Sequence, residues 1–271
     1  MNAHLQNTQY ARRKTHDENG FSLMEVLLAV GTLAIGMLFI AGVFPVSIHF
    51  TTVASERTIA ATVADEAFAK IMLYVRDPCY PLAAADFQSS TPVSVSFWDV
   101  VINKRAPQEV PPTEFYYPST AVDSSQKQYC WSAVCRRVDP LDPCDVQVTV
   151  FVSRKVGAGT KYYMRSPSAL LPYYPLPLPI YVSVTAGGRA DELTINDALG
   201  LSNFINAGYT IVDDATGQIY RVLGRYSASN VVHLDRSWQR GSGTFWVWVI
   251  PPAVGGGRYP CIGVYQKVMR F

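Results

Sequence analysis

Charge is missing from one long part of this chain: between Val26 and Ser55 there is no aspartate, glutamate, lysine or arginine. About 20 consecutive apolar residues suffice to cross the hydrocarbon core of a bilayer as a helix, so the gap reads as a membrane span. Histidine is scarce as well. His4 and His16 precede the span, His49 stands near its end, and His233 alone is left for the rest of the chain. That scarcity weighs against histidine-based acid–base or metal chemistry. Gly-x-Ser-x-Gly, His-Glu-x-x-His and phosphate-loop motifs are absent. The stretch "GAGTK" at 157–161 has its glycines and lysine in the wrong order for a phosphate loop and, directly after a strand-like run, reads as a hairpin turn. Net charge is only +2, and the basic run Arg12, Arg13, Lys14 does not recur. Bulk electrostatics therefore gives no reason to expect a nucleic-acid partner.

Of the 271 residues, 49% are hydrophobic, enough for a sizeable core and one main domain besides the span. The span begins with a carboxylate, Glu25. Placing an ionised acid inside a bilayer costs about 2.5–3.5 kcal/mol on insertion scales, so this residue calls for a partner or an interface. Residues 1–20 are polar, and Arg12, Arg13 and Lys14 put them on the cytoplasmic side, leaving everything after about residue 50 outside. A secretory signal has an apolar core of about 7–15 residues followed by its cleavage site. Here the run is longer, and the best small-residue site after it, "TTVAS" at 51–55, is a poor one.

Gly20, followed by Phe21, Ser22, Leu23, Met24 and Glu25 and then the uncharged run, resembles the N-terminal signature of type IV prepilins and of the pseudopilins of type II secretion. The likeness covers about residues 12–50, and "AIGMLFIAGVFPVSI" at 34–48 is most similar to minor pilins. Asn19 stands before Gly20, where many prepilins carry lysine or arginine. The resemblance implies cleavage between Gly20 and Phe21 by a prepilin peptidase and N-methylation of Phe21. It also implies an assembly role for Glu25, whose carboxylate would meet the Phe21 amine of a neighbouring subunit. Partners implied are that peptidase, other pilin or pseudopilin subunits, an inner-membrane assembly platform and membrane lipid. The implied location is the inner membrane, single-pass, and then a pilus or pseudopilus fibre.

The helix is expected to continue beyond the span. Ile59, Ala60, Val63, Ala64, Ala67, Phe68, Ile71, Met72 and Val75 recur at helical spacing, and Asp77-Pro78 ends the run. This apolar face is expected to pack beneath a sheet. Pro45 should kink or melt the helix near 41–45. Residues 78–128 are rich in proline, serine and alanine, with one strand-like piece at 93–101. From 129 the pattern is β: 129–138 and 146–155 form a hairpin with Val146, Val148, Val150 and Val152 on one face. The proline-rich "LLPYYPLPLP" reads as a connection. Strands follow at 180–186, 209–212, 219–223, 231–234, 244–250 and 262–270.

The expected fold class is α+β, a long N-terminal helix with a mostly antiparallel β domain. Its parts are a leader at 1–20, the membrane half of the helix at 21–50, an amphipathic half at 51–77, an irregular region at 78–128 and a β region at 129–271. All five cysteines, Cys79, Cys130, Cys135, Cys144 and Cys261, follow the span, as disulfides in an exported domain would. Cys135 and Cys144 flank the hairpin turn and are one candidate pair; Cys79 with Cys261 or Cys130 is another. Their spacing does not fit a zinc ribbon, and Asp213-Asp214 before a turn reads as a turn former rather than a calcium site. No catalytic residue, metal or cofactor is expected. The function implied is a non-catalytic pilin-like structural subunit; the alternative is a signal-anchored extracytoplasmic enzyme or carbohydrate-binding module.

Overall fold

The computed structural model describes residues 20–74, 95–96, 112–120, 123, 126–138, 145–157, 159–166, 169–196, 200–226 and 230–270. Its one α-helix, α1, runs Leu23–Tyr74. The strands are β1 Val95–Ser96, β2 Tyr116–Tyr117, β3 Tyr129–Arg137, β4 Asp145–Arg154, β5 Tyr162–Ser166, β6 Ala169–Tyr174, β7 Ile180–Ala186, β8 Glu192–Ile195, β9 Thr210–Asp213, β10 Ile219–Arg225, β11 Val231–Leu234, β12 Thr244–Val249 and β13 Cys261–Arg270. Every strand pair is antiparallel. The expected α+β class is what the structure has.

Two compact units divide the chain, residues 1–53 and 54–271. The described part of the first is the N-terminal stretch of α1, and an 18-residue window within the helix has mean hydropathy 2.5 and no buried share. Among the described residues a single helix is thus long and apolar enough to cross a membrane. Apolar residues point outward all round it, from Phe21 and Leu23 to Ile48 and Phe50. Helical structure passes through Pro45 without a break, so the melting expected near 41–45 is not found. Proline removes one backbone donor, and the hydrogen bonds of the flanking turns keep the ladder helical. Thr51 and Thr52 turn their hydroxyls back to the carbonyls of Ser47 and Ile48, both at 2.9 Å, and so satisfy themselves within the helix.

In the second unit the same helix becomes striped. Ala60, Val63, Ala64, Ala67, Phe68 and Ile71 are buried against Val146, Val148, Val150 and Val152, which alternate along β4 as a two-residue repeat requires. The amphipathic face does lie on a sheet, as its spacing predicts, except that Met72 is 51% exposed; Val75 lies outside the described residues. Polar pairs fix the seating. Arg154 grips Glu56 with both nitrogens, at 2.7 and 3.3 Å, and Lys70 reaches Glu66 (2.8 Å) and Glu114 (2.9 Å).

That sheet has the order β1-β3-β4-β13, with β2 also on β3. Its β3–β4 hairpin pairs Tyr129 with Arg154 through to Arg137 with Val146. Because side chains alternate, its other face carries Val134 and Phe151, which pack on Val212, Trp248 and Ile250. Those three belong to a closed six-stranded barrel, β10-β11-β8-β7-β12-β9, or immediately follow it. Closure leaves the barrel no free edge. Its interior is filled by Val182, Val184, Leu193, Ile211, Val222, Val232 and Val247, with Tyr220, Trp238 and Phe245.

Several expectations need correction. "GAGTK" does turn the chain, with Gly157 and Gly159 at φ 86° and 77°, yet it joins β4 to β5, which do not pair. The proline-rich connection begins as strand β6, paired only with β5 and so able to carry Pro172 without losing a central ladder bond. Of the strand-like piece at 93–101, the described part is Val95–Ser96, and β2 and β8 are additions.

Candidate processing and assembly site

Gly20, Phe21 and Ser22 lie just ahead of the helix, in non-helical backbone. A Cβ built on Gly20 meets nothing within 4 Å, and Phe21 is 81% exposed. This fold therefore makes no demand for glycine at position 20. The peptide bond between the two residues lies on exposed chain, where a second protein can reach it.

The helix start has a local logic that the sequence reading missed. Ser22 accepts a hydrogen bond from the Met24 amide on Oγ (3.2 Å) and bonds from the Glu25 and Val26 amides on its carbonyl (2.9 and 3.1 Å). It is the N-cap, and Glu25 stands three residues on, in the first turn. Ser-x-x-Glu is the capping-box spacing, and an acid there also faces the positive end of the helix dipole. The signal was in the sequence, in the four residues Ser22–Glu25, after which no charge follows until Glu56. Glu25 is exposed, and none of the described residues covers it.

Of the cysteines, Cys130, Cys135 and Cys261 are free thiols, while Cys79 and Cys144 lie outside the described residues. The register sets Val148 opposite Cys135. Cys130 and Cys261 each pair with Ser153, from opposite sides of β4. Two strand spacings of about 4.8 Å separate them, beyond the roughly 7 Å that a disulfide tolerates between Cα atoms. Burial pushes the Cys130 and Cys135 thiols up to about 12, with Cys261 adding to the shift at Cys130. Such thiols are poor nucleophiles at neutral pH.

Asp213 and Asp214 form a turn, and what that turn does was not foreseen. Asp213 is 1% exposed, and one of its oxygens meets Arg240 at 3.2 Å while the other accepts from the amide and hydroxyl of Thr216 at 3.0 and 2.5 Å. Trp248 donates to Asp214 at 2.7 Å. Arg136, from β3, donates to the carbonyls of Ala215 and Thr216 at 2.7 and 2.6 Å and is steadied by Gln147; Gln266 of β13 donates to the Gly217 carbonyl. The β9–β10 turn is thereby clamped to the sheet, and the Asp213 oxygens are already engaged. His233, on β11, stands 3.9 Å from Asp191 and 3.8 Å from Glu192, with Tyr226 edge-on at 4.7 Å.

The chain matches no protein-family model, no curated protein and no solved structure at a level that would carry an argument.

Proposed function

We propose that this chain is a non-catalytic pilin-like subunit, a minor pilin or pseudopilin, that is processed at Gly20–Phe21 and assembled into a type IV pilus or type II secretion pseudopilus. The observation that carries this reading is the division of α1. One stretch presents apolar side chains on every side with none of the described residues covering them, and the next is seated on a β domain. An uncovered apolar helix needs lipid first and other helices later, which is what insertion followed by fibre assembly supplies.

In this reading hydrolysis by the prepilin peptidase leaves the leader ending in a Gly20 carboxylate and the mature chain beginning with the Phe21 amine, which then takes a methyl group. An α-amine has an ordinary pKa near 7.7–8.0, so it is largely a cation at neutral pH. The Glu25 carboxylate lies one helical turn away along its own chain and is exposed to a neighbour's amine. Pairing the two as each subunit leaves the membrane platform would set the axial register. A capping box, for which Ser22 and Glu25 have the spacing, would give the same residue a purely local role, and the two roles make different demands.

Incorporation into sheared fibres separates them. Glu25→Gln keeps the size and hydrogen-bonding shape that a helix cap uses and removes the charge. If the charge sets the register, both Glu25→Gln and Glu25→Ala leave the subunit in the membrane and out of the fibre. Fibre incorporation of Glu25→Gln at the unmodified level would sink the register role.

A further inference from the structure

At one end of the barrel an open cleft of about 450 Å³ lies between the segment 200–209, Tyr163 of β5 and the loop 252–257. Its size falls in the range of small-molecule sites, about 300–1,000 Å³. We propose that this cleft is a binding site for a neutral saccharide. The inference stands apart from the assembly reading, since it uses no residue of the helix.

None of the described lining residues is Asp, Glu, Lys, Arg or His. Arg225, which reaches the lining at Asn206, is already engaged with that side chain and with the Ser202 carbonyl, so the described wall offers neither a free counter-charge for an anion nor an acid for an amine. Three of the lining residues are aromatic: Tyr163, Phe204 and Tyr209. Tyr163 rests on Phe204 with centroids 4.9 Å apart, and Tyr209 is stacked on Tyr259 at 3.7 Å, so the rings are held in place. Two carboxamides stand beside them. Asn206 donates to the Asn203 carbonyl at 2.9 Å and accepts from Arg225 at 3.2 Å, which fixes its orientation. The Asn203 side chain is exposed and bonds to no group in the described chain.

Gly255, Gly256 and Gly257 complete the wall at φ 91°, 86° and 123°, a backbone shape that side-chain-bearing residues rarely adopt. A Cβ on any of them would meet nothing within 4 Å, so their peptide groups border open space and a ligand can approach them closely.

A purely apolar guest would strip water from the carboxamides and glycine peptides without replacing their bonds, at about 1–3 kcal/mol for each group left unpaired. A pyranose avoids that loss. One of its C–H faces lies on the Tyr163 ring, which is partly exposed where Phe204 and Tyr209 are buried behind it, while its hydroxyls both donate to and accept from carboxamides.

Saturation-transfer NMR on the full chain in dodecylphosphocholine, a detergent without a sugar headgroup, tests the site with cellotriose, maltotriose and triacetylchitotriose, and with trigalacturonate as the charged control. At least one neutral trisaccharide is expected to bind and trigalacturonate is not. Asn203→Ala, which removes a side chain with no partner among the described residues, should weaken that binding about ten-fold, and Tyr163→Ala should abolish the transfer. No neutral trisaccharide binding at ~10 mM, binding by trigalacturonate alone, or unchanged affinity in Asn203→Ala would each overturn the assignment.

Discussion

The two stretches of α1 both carry many apolar residues, and they meet opposite fates. Along 23–53 the apolar residues surround the helix, and no described part of the chain covers them. Along 54–74 they are gathered on one face, with Glu56, Asp65, Glu66 and Lys70 elsewhere, and that face is buried on β4. The arrangement of apolar residues, more than their number, separates a helix that a domain can complete from one that needs an outside partner.

Breaking the second stretch should break the domain. Ala67 is fully buried against the sheet, and Ala67→Asp places an unpaired carboxylate there, at a cost large enough to undo the seating. Proteolysis of the 54–271 unit is the readout, and the variant is expected to be degraded where the parent chain resists. A charge placed at Ala34 should leave that resistance unchanged and interfere with insertion instead.

A milder pair sharpens the contrast. Ile71 has no exposed surface and Leu33 is 59% exposed. Truncating a buried isoleucine to alanine typically costs about 2–5 kcal/mol. The thermal unfolding temperature of the 54–271 unit should fall markedly for Ile71→Ala and stay in place for Leu33→Ala. Equal shifts in both would mean that the two stretches are not energetically distinct.

Gly217 reaches the same unit without touching the helix. Its φ is 71°, and a Cβ there would lie 2.5 Å from Gln147 Oε1 and 2.8 Å from Arg136 Nε, inside the clamp between sheet and barrel. Gly217→Ala is expected to cost about 1–3 kcal/mol in chemical denaturation while the helicity of 23–53 in detergent is retained.

The smallest effect at neutral pH is one that grows with alkali. Cys130 and Cys135 are held near 12 in the folded chain, against an ordinary value of 9.0, because burial disfavours their thiolates. The unfolded chain therefore loses these protons first. Their contribution is fully present below pH 9 and declines as pH rises towards 12. Circular dichroism of the 54–271 unit should show this decline, and replacing both cysteines with alanine should flatten it.

What could be read in advance follows the range of the interaction. The striped helix, the alternating valines of β4 and the exact limits of β7 and β11 are local patterns, legible within ten residues. Strand β6 was hidden because Pro172 argues against a strand until its lone partner β5 is known. Barrel closure joins β12 to both β7 and β9, a pairing that no local period encodes. The clamp on 213–217 and the cleft beside Asn203 are assembled from residues far apart in the chain, so the aspartates could be read as a turn but not as a fastening. The Ser22 cap, with Glu25 at capping-box spacing, is different. It was local, and it was overlooked because a carboxylate beside an apolar run invites a distant partner before a near one.

The proposed processing step is the point on which the account rests most heavily, and the mass of the mature protein's N-terminal peptide tests it most directly. The account predicts a chain beginning at Phe21 with one methyl group on its amine, and an uncut precursor when Gly20 is replaced by isoleucine, a change this fold tolerates because nothing lies within 4 Å of that position. A mature chain that still begins at Met1, or one cut after Ala54, would contradict it.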